Sequence, residues 1–130
     1  MKILFLAPHL STGGMPQFLL KRIELLQKFS LNAEILVVEY NVVSIDFVVQ
    51  KNEIKALVPI ESLREDKHRL LTIIDNFNPD IVHIDDMSER FDTDVMKRLY
   101  NPDRAYRIVE TCHDISFDPT AKVFHYLSYF

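Results

Sequence analysis

The stretch MKILFLAPHLSTGGMPQFLLKRI, residues 1–23, decides how the rest of the chain is read. After one lysine, residues 3–7 form a short, continuous apolar run, the pattern of a strand buried on both faces of a parallel sheet. The loop PHLSTGG follows, holding both glycines of the protein. A helix is expected from about Met15, because Pro16 suits a first turn that needs no N–H donor. Helical spacing puts Leu19, Ile23 and Leu26 on its buried face and leaves Lys21, Arg22 and Lys28 to solvent. Gly13 and Gly14 thus stand just ahead of a helix N-terminus, where free N–H groups and the helix dipole favour an anion such as a phosphate. A tight strand-to-helix turn explains the same two glycines equally well.

Working outward, AEILVVEY (33–40) is a second strand. Between 41 and 60 the pattern is mixed: IDFVVQ (45–50) has strand character, and ALVPI (56–60) is a shorter strand weakened by Pro59. Ser62 and Glu65 have the spacing of a capping box, which predicts a helix start there. Leu70, Ile74 and Phe77 continue at helical spacing until Asn78-Pro79. DIVHI (80–84) is a further buried strand. A helix over about 92–100 stops at Asn101-Pro102, and YRIVETC (106–112) gives one more strand. This alternation predicts an α/β fold: a doubly wound, Rossmann-like parallel sheet with helices on both faces, built as one domain over 1–130. The tail AKVFHYLSYF is so aromatic that its rings need a cover, so the domain is expected to be an incomplete part of a longer protein.

Composition narrows the function classes. Residues 1–65 carry seven Lys/Arg against seven Asp/Glu, and residues 66–130 carry eight against twelve. A chain of net charge −4 with no basic run is a poor nucleic-acid ligand, because phosphate neutralisation needs clustered cations. No apolar run reaches the roughly 18 residues of a membrane span. Peripheral membrane contact stays open. The lone Cys112 cannot close an internal disulfide, which suits a reducing cytoplasm.

In an open α/β sheet, ligands bind beyond the carboxyl ends of the strands. Three such ends carry suggestive residues: APHLSTGG (7–14), HIDD (83–86) and TCHD (111–114). A parallel sheet would align all three along one edge. His113, followed by Asp114, could contact a ligand or move a proton, or could be a structural ring satisfying a local carbonyl. Cys112 and His113, neighbours on a strand, point to opposite faces and make no dyad. His83 reads as a satisfied core histidine. Asp85 and Asp86 could bind a metal or substrate hydroxyls, but are expected to cap the following segment. His9 and His83 with these aspartates show no standard metal-ligand spacing. G-x-G-x-x-G and the P-loop signature are both absent.

Taken together, MKILFLAPHLSTGGMPQFLLKRIELL, NPDIVHIDD and RIVETCHD resemble, in order and spacing, the N-terminal domain of GT-B glycosyltransferases, most of all the retaining family four. The resemblance covers nearly the whole chain. It implies a two-domain enzyme that moves a sugar from a nucleotide-sugar donor to an acceptor held mainly on this domain. It further implies that the Gly13–Gly14 loop approaches the donor diphosphate and that His113 contacts the donor sugar as the catalytic histidine. His9, Asp85, Asp86 and Asp114 become possible substrate contacts. Neither a metal nor another cofactor is implied, since charge on the leaving diphosphate is stabilised by cationic side chains and helix-end N–H groups. Met15 and Pro16 depart from the small and acidic residues common after the glycines. The donor-binding domain is missing, so this polypeptide alone is expected to be inactive. Glu53 and Glu61 have the E-x7-E spacing of the donor-binding half, but their setting does not match and the spacing is taken as coincidence.

Two other classes remain as alternatives. APH after a first strand is similar to the start of the P-H-x-D-D motif of zinc-dependent sugar N-deacetylases, but Leu10, Ser11 and Thr12 stand where the aspartates belong. A flavodoxin-like binding module wants a Ser/Thr-rich phosphate loop, which LSTGG meets in part. A receiver-like module wants an acidic cluster that Ala7-Pro8-His9 lacks.

Overall fold

The computed structural model describes residues 1–29, 32–85, 93–112 and 127–129. In chain order the elements are β1 (Lys2–Ala7), α1 (Gly14–Phe29), β2 (Glu34–Glu39), α2 (Val49–Leu57) and β3 (Ile60–Ser62). They continue with α3 (Arg69–Phe77), β4 (Ile81–Asp85), α4 (Thr93–Leu99), β5 (Arg107–Cys112) and β6 (Leu127–Tyr129). The strands form one sheet in the order β3-β2-β1-β4-β5-β6, and every pairing is parallel. That is the doubly wound, Rossmann-like arrangement expected from the sequence, with its switch point between β1 and β4.

Alternation along β1 shows how the two layers form. Leu4 and Leu6 pack with Leu70 and Ile74 of α3 and Val95 and Leu99 of α4. Ile3, Phe5 and Ala7 face the other way, against Leu19, Leu20 and Ile23 of α1 and Ile54 of α2. A strand buried on both faces must be apolar at every position, which is why residues 3–7 lack the polar alternation of an exposed sheet. The α3 stripe of Leu70, Ile74 and Phe77 is as expected, and the helix ends at Asn78, whose left-handed backbone (φ 53°) returns its N–H to the Ile74 carbonyl ahead of Pro79.

Three local expectations are corrected. Residues 45–50 are no strand: the Ser44 hydroxyl accepts the N–H groups of Asp46 and Phe47, both at 3.2 Å, and α2 begins at Val49. Ala56 and Leu57 close that helix, and only Ile60–Ser62 pair with β2, as a three-residue edge strand entered from Pro59. Ser62 starts no helix. It closes β3, with its hydroxyl donating to Glu39 Oε1 at 2.8 Å, and α3 starts only at Arg69, too far along the chain for Ser62 to cap it.

Candidate functional site

The loop between β1 and α1 lies at the carboxyl end of β1, beside the switch point, and is pinned at alternate residues. The Pro8 carbonyl accepts from Asn41 N–H at 2.9 Å. The Leu10 N–H donates to Glu39 Oε2 at 2.9 Å, while its side chain is fully buried. The Thr12 N–H donates to the Phe47 carbonyl at 2.7 Å, and Thr12 Oγ1 accepts from Val49 N–H at 3.1 Å. The loop therefore delivers Gly13 and Gly14 to the start of α1 in a fixed position.

Neither glycine is required by the chain itself. No glycine has positive φ. A Cβ on Gly13 would come no closer than 3.9 Å to the Ser11 carbonyl, and one on Gly14 would meet nothing within 4 Å. The tight-turn explanation thus has no steric basis here. In the first turn, Gly14 and Met15 have no in-helix acceptor for their N–H groups, Pro16 has no N–H, and Gln17 N–H is used by the Gly13 carbonyl at 3.2 Å. No acidic residue occupies that turn.

Glu39, at the carboxyl end of β2, is the residue that sequence reasoning missed. It is 1% exposed and its carboxylate is engaged by Leu10 N–H, Lys51 Nζ (2.8 Å) and the Ser62 hydroxyl (2.8 Å). In dinucleotide-binding sheets an acidic residue of this kind holds a ribose. Here it braces the first loop against α2 and β3. The available signal was a charged residue closing the otherwise apolar run EILVV. Glu39→Gln is expected to cost about 1–3 kcal/mol, because it discharges the partner of Lys51 and turns one acceptor into a donor facing other donors. Urea unfolding measures this; a loss below 0.5 kcal/mol would mean that the brace is not formed.

On the α1 side of β4, four side chains form a second constellation. Arg22 Nη2 donates to both Asp85 oxygens, at 2.8 and 2.7 Å, and Nη1 meets His83 Nε2 at 2.8 Å. His83 Nε2 also lies 2.6 Å from Thr111 Oγ1. Since an arginine N–H can only donate, Nε2 is the acceptor and the ring proton belongs on Nδ1. Burial, helped by the Arg22 charge, lowers the His83 pKa to about 3, so the ring is neutral. The guanidinium lies over the rings of Phe18 (4.6 Å) and Phe5 (5.2 Å).

This corrects one expectation. Arg22 is not a solvent-facing residue: its side chain is only 16% exposed, because it reaches His83 and the buried Asp85 of β4, which needs a counter-ion. Asp85 is 0% exposed and both of its oxygens accept from Arg22. The segment it was expected to cap lies outside the described residues. His83 is the satisfied core histidine expected. His9 stays half-buried in the first loop, with Nδ1 2.7 Å from Ser11 Oγ. Asp86, His113 and Asp114 lie outside the described residues. Glu53 is exposed on α2, and Glu61 sits in β3 paired with Arg69. Among the described residues no three His, Cys, Asp or Glu side chains come together as a metal set, and no helix is long and apolar enough to cross a membrane.

Compared with known families, curated proteins and solved structures, the chain matches none.

Proposed function

We propose that this chain is the acceptor-side, Rossmann-like part of a GT-B glycosyltransferase that moves a sugar from a nucleotide-sugar donor to an acceptor with retention. One observation carries the reading: a rigidly pinned glycine pair that the fold does not need, set at a helix N-terminus at the carboxyl edge of the sheet. Glycines without a conformational reason fit a backbone that something outside the chain must approach closely. The N–H groups of Gly14 and Met15, which have no acceptor within the helix, suit a diphosphate. In this reading His113 contacts the donor sugar, His9, Asp86 and Asp114 are substrate contacts, and the protein works in the cytoplasm. Nucleic acid is not a partner.

A bound dinucleotide fits less well, because the glycine fingerprint is absent and Glu39 is already engaged. A flavodoxin-like module would show strand order 2-1-3-4-5, which this sheet does not have.

The test is a nucleotide-sugar panel assayed by mass spectrometry with the 130-residue chain and with the reading frame continued past the Phe130 codon. The short chain is expected to neither transfer nor hydrolyse, and the continued frame to transfer. Gly14→Ala should leave stability within about 0.5 kcal/mol or raise it, while Gly14→Val in the continued frame should lower kcat/KM roughly 10–100-fold through lost diphosphate stabilisation. Turnover by the short chain, or full activity of Gly14→Val, would overturn the reading.

A further inference from the structure

Lys67, in the turn ahead of α3, has its ammonium group engaged through every donor. Nζ donates to the Tyr40 carbonyl, to the Arg64 carbonyl and, at 2.8 Å, to Asn41 Oδ1. It also stands 4.4 Å from the centre of the Tyr40 ring. A lysine ammonium has three donors, so these bonds exhaust it. All three oxygens belong to neutral groups, and with the ring face they form the kind of cage that holds a small cation. Tyr40 and Asn41 open the loop from β2 to α2, whereas Arg64 lies in the turn from β3 to α3. One side chain therefore ties two loops together at the carboxyl edge of the sheet.

Both loops lean on that tie. Arg64 has a left-handed backbone (φ 56°), a conformation that costs free energy in a residue with a bulky side chain. Its carbonyl meets Lys67 in that conformation, so the bond offsets part of the cost. On the other side, the Asn41 N–H donates to the Pro8 carbonyl at 2.9 Å, which joins the β2–α2 loop to the loop between β1 and α1. We propose that Lys67 is a built-in cation latch: it closes the β2–α2 loop onto the β3–α3 turn and, through Asn41 and Pro8, steadies the loop that carries the two glycines. This inference rests on the bonding around one ammonium and is independent of the proposed sugar transfer.

Hydrogen exchange followed by NMR tests this on the whole chain. Lys67→Ala should speed exchange of the Thr12, Asn41 and Asp66 amides at least roughly tenfold, while residues 3–6 of β1 change less than roughly threefold. Propylammonium, which restores the lost side-chain atoms with their charge, should slow those three amides again in a saturable way. Propanol, of nearly the same shape but without the charge, should not. Unchanged exchange at the three amides would overturn the proposal. So would an equal acceleration throughout β1, which would make Lys67 a residue of general stability, or propylammonium acting no better than propanol. A second measurement needs no variant: in the unsubstituted chain the Lys67 ammonium protons should exchange with water at least roughly tenfold more slowly than those of the exposed Lys55. Equal rates would overturn the latch.

Discussion

Arg22→Met is expected to destabilise the folded chain by about 3–5 kcal/mol, the usual cost of leaving a buried charge without its partner. Asp85 is 0% exposed, and Arg22 satisfies both of its oxygens. Methionine keeps the packing against Phe5 and Phe18 but supplies no donor, so the carboxylate must either stay charged in an apolar layer or take up a proton. The double variant Arg22→Met/Asp85→Leu should recover most of that loss, because two apolar residues pack where two charges were desolvated. Urea unfolding of the three chains decides it. A single-variant loss under 1 kcal/mol would mean that water reaches Asp85 and the guanidinium is not its support.

The second large effect is in pH. His83, ordinarily near 6.5, is held to about 3 by burial and then by Arg22. A base whose folded pKa is lowered contributes stability that is complete above the unfolded value and lost as pH falls through the folded one. Crossing from pH 6.5 to 3 should therefore remove on the order of 4–5 kcal/mol, at about 1.4 kcal/mol per unit. Glu110 works in the opposite sense. Burial pushes its carboxyl from 4.5 up to about 7, against a smaller lowering from the Tyr100 hydroxyl that donates to it. A carboxyl raised on folding favours the protonated state, so its contribution is complete below pH 4.5 and is lost as pH climbs through 7. The two slopes oppose each other between 4.5 and 6.5, and only the His83 loss acts below 4.5. Urea midpoints from pH 3 to 8 should show a shallow region that steepens on the acid side. His83→Gln should remove the acid loss and leave a decline from 4.5 to 7, whereas Glu110→Gln should leave a rise up to 6.5. An unchanged pH profile in His83→Gln would show that folding does not lower the ring's pKa.

How far the sequence could be read follows from the range of the interactions involved. β1 and β2 are legible because a strand covered on both faces favours an unbroken apolar run, and β4 and β5 because their short apolar stretches lie between helical patterns and turn residues. α2 is misread because Ile45, Phe47 and Val49 alternate as a strand would, while the turn that breaks extension depends on one hydroxyl, that of Ser44. The capping-box spacing at Ser62 and Glu65 is real in sequence and void in space, since Ser62 belongs to β3, paired with β2, and the helix begins only at Arg69. Arg22 could not be placed, because helical periodicity reports which face is apolar and not that a carboxylate 63 positions later requires a cation. Within the site, the glycine loop was visible from its neighbours in the chain. Its brace was not, because Leu10, Lys51 and Ser62 meet at Glu39 only once β2 lies between β1 and β3.

Thr12 bonds twice to the segment running from Phe47 to Val49, through its own N–H and through its hydroxyl. The glycine loop and the segment between β2 and α2 are thereby one mechanical unit: neither can be displaced without straining the same two bonds. Thermodynamic reciprocity then applies. Whatever factor a contact on the loop before α2 applies to affinity at the helix start, occupancy at the helix start applies to that contact as well. Thr12→Val removes the hydroxyl and keeps the shape, so it would loosen this coupling while leaving each surface with its own chemistry.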